Sequence, residues 1–157
     1  MSEREQLIWQ RLHTSIQKCE LHLRRLQYAS DQIAGLFPLT VDKYNSVSEA
    51  TIGNIDQMVF RFTKLQDEIG NNTFRFLLEY LQEDITNKPF RDILNILERL
   101  QIIDTSDTWL FLREIRNDLT HEYPMMLEET IEKLNLLYNQ LSVLEIILAT
   151  IEQKAQQ

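Results

Sequence analysis

One cysteine, Cys19, is all that the 157-residue chain contains, so no internal disulfide can form and no pair of thiolates is available for a metal site. A reducing, cytoplasmic setting is the default this implies. Glycine and proline are nearly as scarce, at three each, which leaves few turn-forming sites. Leu, Ile, Glu, Gln, Arg and Lys supply good helix formers in their place, and the composition favours helices over strands. His13 and His22 lie on one segment with no second ligand at metal spacing, so they are expected to be solvated or interfacial, and neither a metal nor a cofactor is expected. No run approaches the roughly 18 apolar residues of a membrane span. Glu3, Arg4 and Glu5 beside a short apolar patch do not resemble a signal peptide, and the chain is expected to be neither exported nor embedded in a membrane. Positive charge is also in deficit: 16 Lys and Arg stand against 24 Asp and Glu, a formal net charge of -8. A broad basic face for nucleic acid is thereby excluded, and any phosphate-binding site must be small and local.

What the chain does have is helical periodicity. Leu12, Ile16, Cys19, Leu23, Leu26 and Ile33 mark a first stripe that ends near Gly35 to Pro38. A second runs through Tyr44, Ile55, Met58, Phe62, Leu65 and Ile69, with Gly70, Asn71 and Asn72 as a helix stop. Phe74, Leu77, Leu78 and Leu81 predict a short third helix. Pro89 suits the first turn of a fourth with Ile93, Leu94, Leu97 and Leu100. Ser106 or Asp107 is placed to cap a fifth holding Trp109, Leu112, Ile115 and Leu119, which Pro124 limits. A last long helix presents Leu127, Ile131, Leu134, Leu137, Leu141, Leu144, Leu148 and Ile151. The expectation is an all-α, up-and-down bundle of three long and about three short helices, formed by residues 1–157 as one domain. A chain of this length buries roughly two-thirds of its unfolded surface, enough for one core.

Chemistry concentrates between Arg116 and Tyr123. Arg116, Asn117, His121 and Tyr123 gather a permanent cation, an amide, an imidazole and a phenol within about two helical turns. Arginine can hold a phosphate through two parallel hydrogen bonds and stabilise charge building on its oxygens, and histidine can move a proton near neutral pH. His121 falls in the last turn before Pro124, where the negative end of the helix dipole favours a cation. On a regular helix, however, residues five apart are turned about 140° from one another, so Arg116 and His121 diverge. Either the helix loosens before Pro124, or a two-fold dimer brings a second copy alongside; the dimer is preferred because it doubles the positive charge around one cleft.

The spacing of Arg116, His121 and Tyr123 resembles the Arg-x4-His-x-Tyr signature of HepT-like HEPN proteins. Asn117 after the arginine also fits, and Trp109 to Leu112 before Arg113 is similar to the family's aromatic lead-in. Specific similarity covers about fifteen residues. The resemblance implies a homodimeric, metal-independent ribonuclease toxin of a toxin–antitoxin pair, in which the RNA 2'-hydroxyl attacks the adjacent phosphate. It implies Arg116 and His121 as catalytic groups, with Arg116 stabilising the phosphorane and His121 acting as general acid or base. Asn117 would orient them, and Tyr123 would contact substrate. It further implies a cognate nucleotidyltransferase-fold (MNT) antitoxin that attaches AMP to Tyr123, adding bulk and negative charge where RNA phosphate must bind.

Plainer roles exist for each group. Arg116 has Glu114 and Asp118 as local ion-pair candidates, His121 suits a helix cap, and Tyr123 suits a helix end. Asp118 and Glu122 flank the motif and weaken attraction for RNA; they could instead orient His121 or contact the antitoxin. Arg61 and Arg75, each between two phenylalanines, are expected to face solvent while the rings pack in the core. The alternative function is a non-catalytic helical subunit that binds substrate for, or scaffolds, a nucleotidyltransferase. A plain dimerisation bundle is a third.

Overall fold

The computed structural model describes residues 1–122 and 127–156, the side chain of Glu122 excepted. It is all-α, with no strand among the described residues. Helix α1 (Glu3–Gln32) starts in a capping box: Ser2 Oγ accepts from the Glu5 N–H at 3.1 Å, and the Ser2 N–H donates to the Glu5 carboxylate at 2.8 Å. Of the expected stripe Leu12, Ile16, Cys19 and Leu26 are buried, continued by Ile33 just past the helix end, while Leu23 is half-buried against the core.

Tyr44 does not share a helix with Ile55. It sits on a separate short helix, α2 (Val41–Ser46), because Val47 is extended and Ser48 caps a new helix by accepting from the Thr51 N–H at 3.2 Å. That helix, α3 (Glu49–Glu68), does not stop at Gly70-Asn71-Asn72 either. The chain passes through a π turn (Ile69–Thr73) directly into α4 (Phe74–Tyr80), with the Phe74 N–H bonded five residues back to the Ile69 carbonyl. Tertiary packing overrides the local stop signal, since Ile69, Gly70, Thr73 and Phe74 are all buried. The Thr73 hydroxyl also donates to the Glu68 carbonyl at 3.2 Å, satisfying a backbone group at the turn. The actual stop comes at Gln82, in the left-handed region at φ 64°, with the Glu83 N–H returning to the Leu78 carbonyl.

Pro89 is the N-cap of α5 (Phe90–Arg99), one position outside the first turn. Helix α6 (Ser106–Glu122) is capped by Thr105 rather than Ser106 or Asp107, for the Thr105 hydroxyl accepts from the Thr108 N–H at 3.2 Å. Helix α7 (Leu127–Ala155) buries Ile131, Leu134, Leu137, Leu144, Leu148 and Ile151. By length and composition α7 is apolar enough to cross a bilayer, which the sequence reading did not foresee; in the bundle this stripe forms part of the core.

Side-chain contacts fix how the helices run. Ser15 bonds Glu68 and Thr73, while His22, further along α1, bonds Arg61, earlier in α3; the two helices are antiparallel. The pairs Asp67 with Arg116 and Gly70 with Trp109 make α3 and α6 antiparallel by the same reasoning. Trp109, Phe62 and Phe74 are the largest fully buried side chains, and Trp109 meets Phe74 edge to face at 4.7 Å between centroids. Asn135 on α7 closes the structure over the α1–α2 connection, accepting from the Leu39 N–H at 2.7 Å and donating to its carbonyl at 2.9 Å.

Candidate functional site

The inward stripe of α6, Trp109, Leu112, Ile115 and Leu119, is buried, which leaves Arg116 at the edge of the interface with α3. There its guanidinium finds a partner that neither neighbour in sequence supplies. Arg116 Nη2 donates to Asp67 Oδ2 at 2.9 Å, and Nη1 donates to Asn117 Oδ1 at 3.1 Å. Arg116 therefore pairs across helices with Asp67, not locally with Glu114 or Asp118. Asp118 instead meets Lys133 on α7 at 3.0 Å, and this hydrogen bond is the main cause that raises the Lys133 pKa.

The π turn builds the opposite wall. In a regular α-helix Asp67 and Arg75, eight residues apart, would diverge by about 80°. A turn that absorbs one extra residue reduces this to about 20° and puts both on one face. Gly70 in the turn meets the Trp109 indole edge: a Cβ there would lie 3.0 Å from its Cζ2, so only glycine leaves room without displacing the ring. The result is a cleft of about 340 Å³ between the turn and α6. Asp67, Asn71 and Arg75 line one wall, and Arg113, Arg116 and Asn117 line the other. Arg75 is thus a cleft residue rather than one merely facing solvent.

The cleft is rich in donors. Three guanidinium groups face one carboxylate, a local excess of positive charge on an acidic chain. Arg113 lies over the Phe90 ring at 5.5 Å, which holds the side chain without consuming its N–H groups. Arg116 Nε and Trp109 Nε1 are buried and have no hydrogen-bond partner among the described residues. A buried donor left in that state costs roughly 1–3 kcal/mol, so an acceptor-bearing ligand is favoured wherever it can reach them.

His121 is not in this cleft. Helix α6 stays α-helical through Glu122, so loosening before Pro124 does not bring the imidazole back toward Arg116. His121 is exposed on the outer face of α6, about 140° around the helix from Arg116. Asn117 is exposed as well and shares a side with His121, four residues on. Within the chain the structure joins Arg116 to Asn117 and separates Arg116 from His121. Tyr123 lies outside the described residues.

Elsewhere, His13 stacks on Trp9 at 4.0 Å. His22 Nδ1 accepts from Arg61 Nη1 at 3.0 Å, and burial, then the charge of Arg61, lowers the His22 pKa. Phe60, expected in the core, is exposed, with Arg61 and Lys64 over its ring. Cys19 is fully buried and contacts Thr73 Oγ1 at 3.4 Å; burial pushes its thiol up to about 12. Among the described residues no group of three His, Cys, Asp or Glu side chains could hold a metal ion.

Asp67, Asn71, Arg75, Arg113 and Trp109 were not singled out as site residues from sequence. Arg113 and Trp109 stand close to the motif, but no pattern in the chain announces that α3 crosses α6 at Asp67. Compared with family models, curated proteins and solved structures, the chain finds no match.

Proposed function

We propose that this chain is the toxin of a toxin–antitoxin pair: a HepT-like, metal-independent endoribonuclease that works as a homodimer in the cytoplasm. The observation that carries the proposal is Arg116, the first residue of the Arg-x4-His-x-Tyr motif, lying in a cleft with an excess of guanidinium groups on a chain that is otherwise acidic. Phosphodiester chemistry needs positive charge at the phosphate, and here it is local.

In the reaction the 2'-oxygen of RNA forms a bond to the adjacent phosphorus, and the bond to the 5'-oxygen of the next nucleotide breaks. The ends are a 2',3'-cyclic phosphate and a 5'-hydroxyl. Arg116 neutralises the pentacoordinate phosphorane. His121 takes the proton from the 2'-hydroxyl or returns one to the leaving oxygen. Because the two side chains diverge on one helix, His121 is supplied by the second protomer, and the exposed face of α6 that carries Asn117 and His121 is the face that meets its mate. A nucleotidyltransferase partner silences the enzyme by placing AMP on Tyr123.

Complementation tests the shared site. Arg116→Ala and His121→Ala each abolish RNA cleavage and growth inhibition. In co-assembled dimers half are mixed, and each mixed dimer regains one of two sites, so activity returns to about a quarter of wild type. Failure of wild type to cut RNA, when purified free of adenylylation, rules out the enzyme. The second reading, a non-catalytic subunit serving a nucleotidyltransferase, is favoured by the net charge of -8 and predicts that His121→Ala leaves partner binding intact.

A further inference from the structure

Arg116 accounts for one phosphate, yet the cleft holds more donors than one phosphate needs. Arg113 lies one turn back on α6, about 4.5 Å along the axis, and lines the same cleft as Arg75 from the opposite wall. Among the described residues neither forms an ion pair, whereas Arg116 is engaged by Asp67. Asn71 and the unpartnered indole N–H of Trp109 add further hydrogen-bonding groups at this end. A volume of about 340 Å³ falls within the roughly 300–1,000 Å³ of small-ligand pockets and exceeds what one bound ion requires.

We propose that Arg113 and Arg75 form a second phosphate subsite, which holds the RNA phosphate next to the one at Arg116. The assignment rests on the nuclease reading for its direction along the strand but on the cleft alone for its anion chemistry. Charge limits the subsite to a single phosphate. Beyond Arg75 opens a larger groove of about 950 Å³, in which Glu5, Glu79, Glu83 and Asp84 outnumber Arg4 and Arg75. The excess of guanidinium groups does not continue there, so the positive track ends at Arg75. Two anchored phosphates fix the register of the strand, and the phosphate between Arg116 and His121 becomes the one that is cut.

The test uses Trp109 as reporter in a Trp9→Phe background, which removes the second, exposed tryptophan of the chain. Adenosine 3',5'-bisphosphate, whose two phosphates are spaced as successive phosphates of a strand, is titrated beside adenosine 5'-monophosphate. The bisphosphate is expected to bind at least tenfold tighter. Arg113→Gln or Arg75→Gln reduces that advantage below threefold, and Arg113→Lys restores part of it. Equal affinity for the two ligands, or an advantage unaffected by either substitution, overturns the subsite. With a labelled oligoribonucleotide, Arg113→Gln raises KM and leaves kcat within threefold. If wild type cuts no RNA yet shows the Arg113-dependent bisphosphate preference, the nuclease reading fails and the subsite stands.

Discussion

Removing the Asp67 carboxylate should weaken the fold and strengthen the grip on phosphate at the same time. The Arg116–Asp67 pair is close, at 2.9 Å, with side chains 26% and 33% exposed. Exposed pairs contribute about 0.2–1 kcal/mol, and stripping one partner from a fully buried pair costs about 3–5 kcal/mol, which brackets Asp67→Ala at about 1–2 kcal/mol. For a domain of this length that is a fall in Tm of about 3–6 °C, read by circular dichroism in low-salt buffer. Asp67→Asn keeps an acceptor without the charge and should lose less. Phosphate can then replace the missing carboxylate: at ten times its Kd it returns about 1.4 kcal/mol, most of the deficit. The Tm of Asp67→Ala should therefore rise more on adding phosphate than that of wild type, and more than on adding chloride at equal ionic strength. A variant melting within 1 °C of wild type would refute the coupling of the pair to stability. Equal phosphate gains in the two proteins would refute the competition between Asp67 and anion.

Two further tests probe groups away from the cleft. Cys19, buried and with its thiol pushed up to about 12, should resist alkylation at pH 8 in the folded protein and react at the rate set by unfolding; immediate labelling would contradict the packing around Thr73. Burial and Arg61 lower the His22 pKa from its ordinary 6.5, so folding favours the neutral ring. The stability this supplies is present above pH 6.5 and is lost as pH falls through the lower folded value. An NMR titration should give a His22 midpoint below 6.5 that moves upward in Arg61→Gln; an unchanged midpoint would rule out the guanidinium as a cause.

Periodicity made most of the bundle legible, because each long helix keeps one apolar stripe in phase over several turns. The stripes of α1 and α7 needed nothing beyond the residues themselves. Local signals failed where packing or uncommon capping decided. Gly70-Asn71-Asn72 carries the composition of a helix end, yet the indole of Trp109 and the hydroxyl of Thr73 hold it in a π turn. Gln82 and Gln101 stop helices in the left-handed region, at φ 64° and 59°, with no glycine to mark them. At the site, Arg116 was found by its motif, but its partner Asp67 lies 49 positions away in sequence and belongs to no pattern. Separation of Arg116 from His121 within one chain followed from helix geometry alone, and the unbroken α6 agrees with it.

The π turn acts as a phase shifter in an otherwise continuous rod. Everything downstream of it is rotated by about 100° relative to an unbroken α-helix of the same number of residues, and keeps the phase of a helix with one residue fewer. Deleting Asn71 or Asn72 would thus let the rod run on as a regular helix with Arg75 still about 20° from Asp67, whereas a regular helix that kept both would carry Arg75 about 80° away and out of the cleft. One extra codon, far from the Arg-x4-His motif in sequence, sets the angular timing by which two distant stretches of chain line the same cleft.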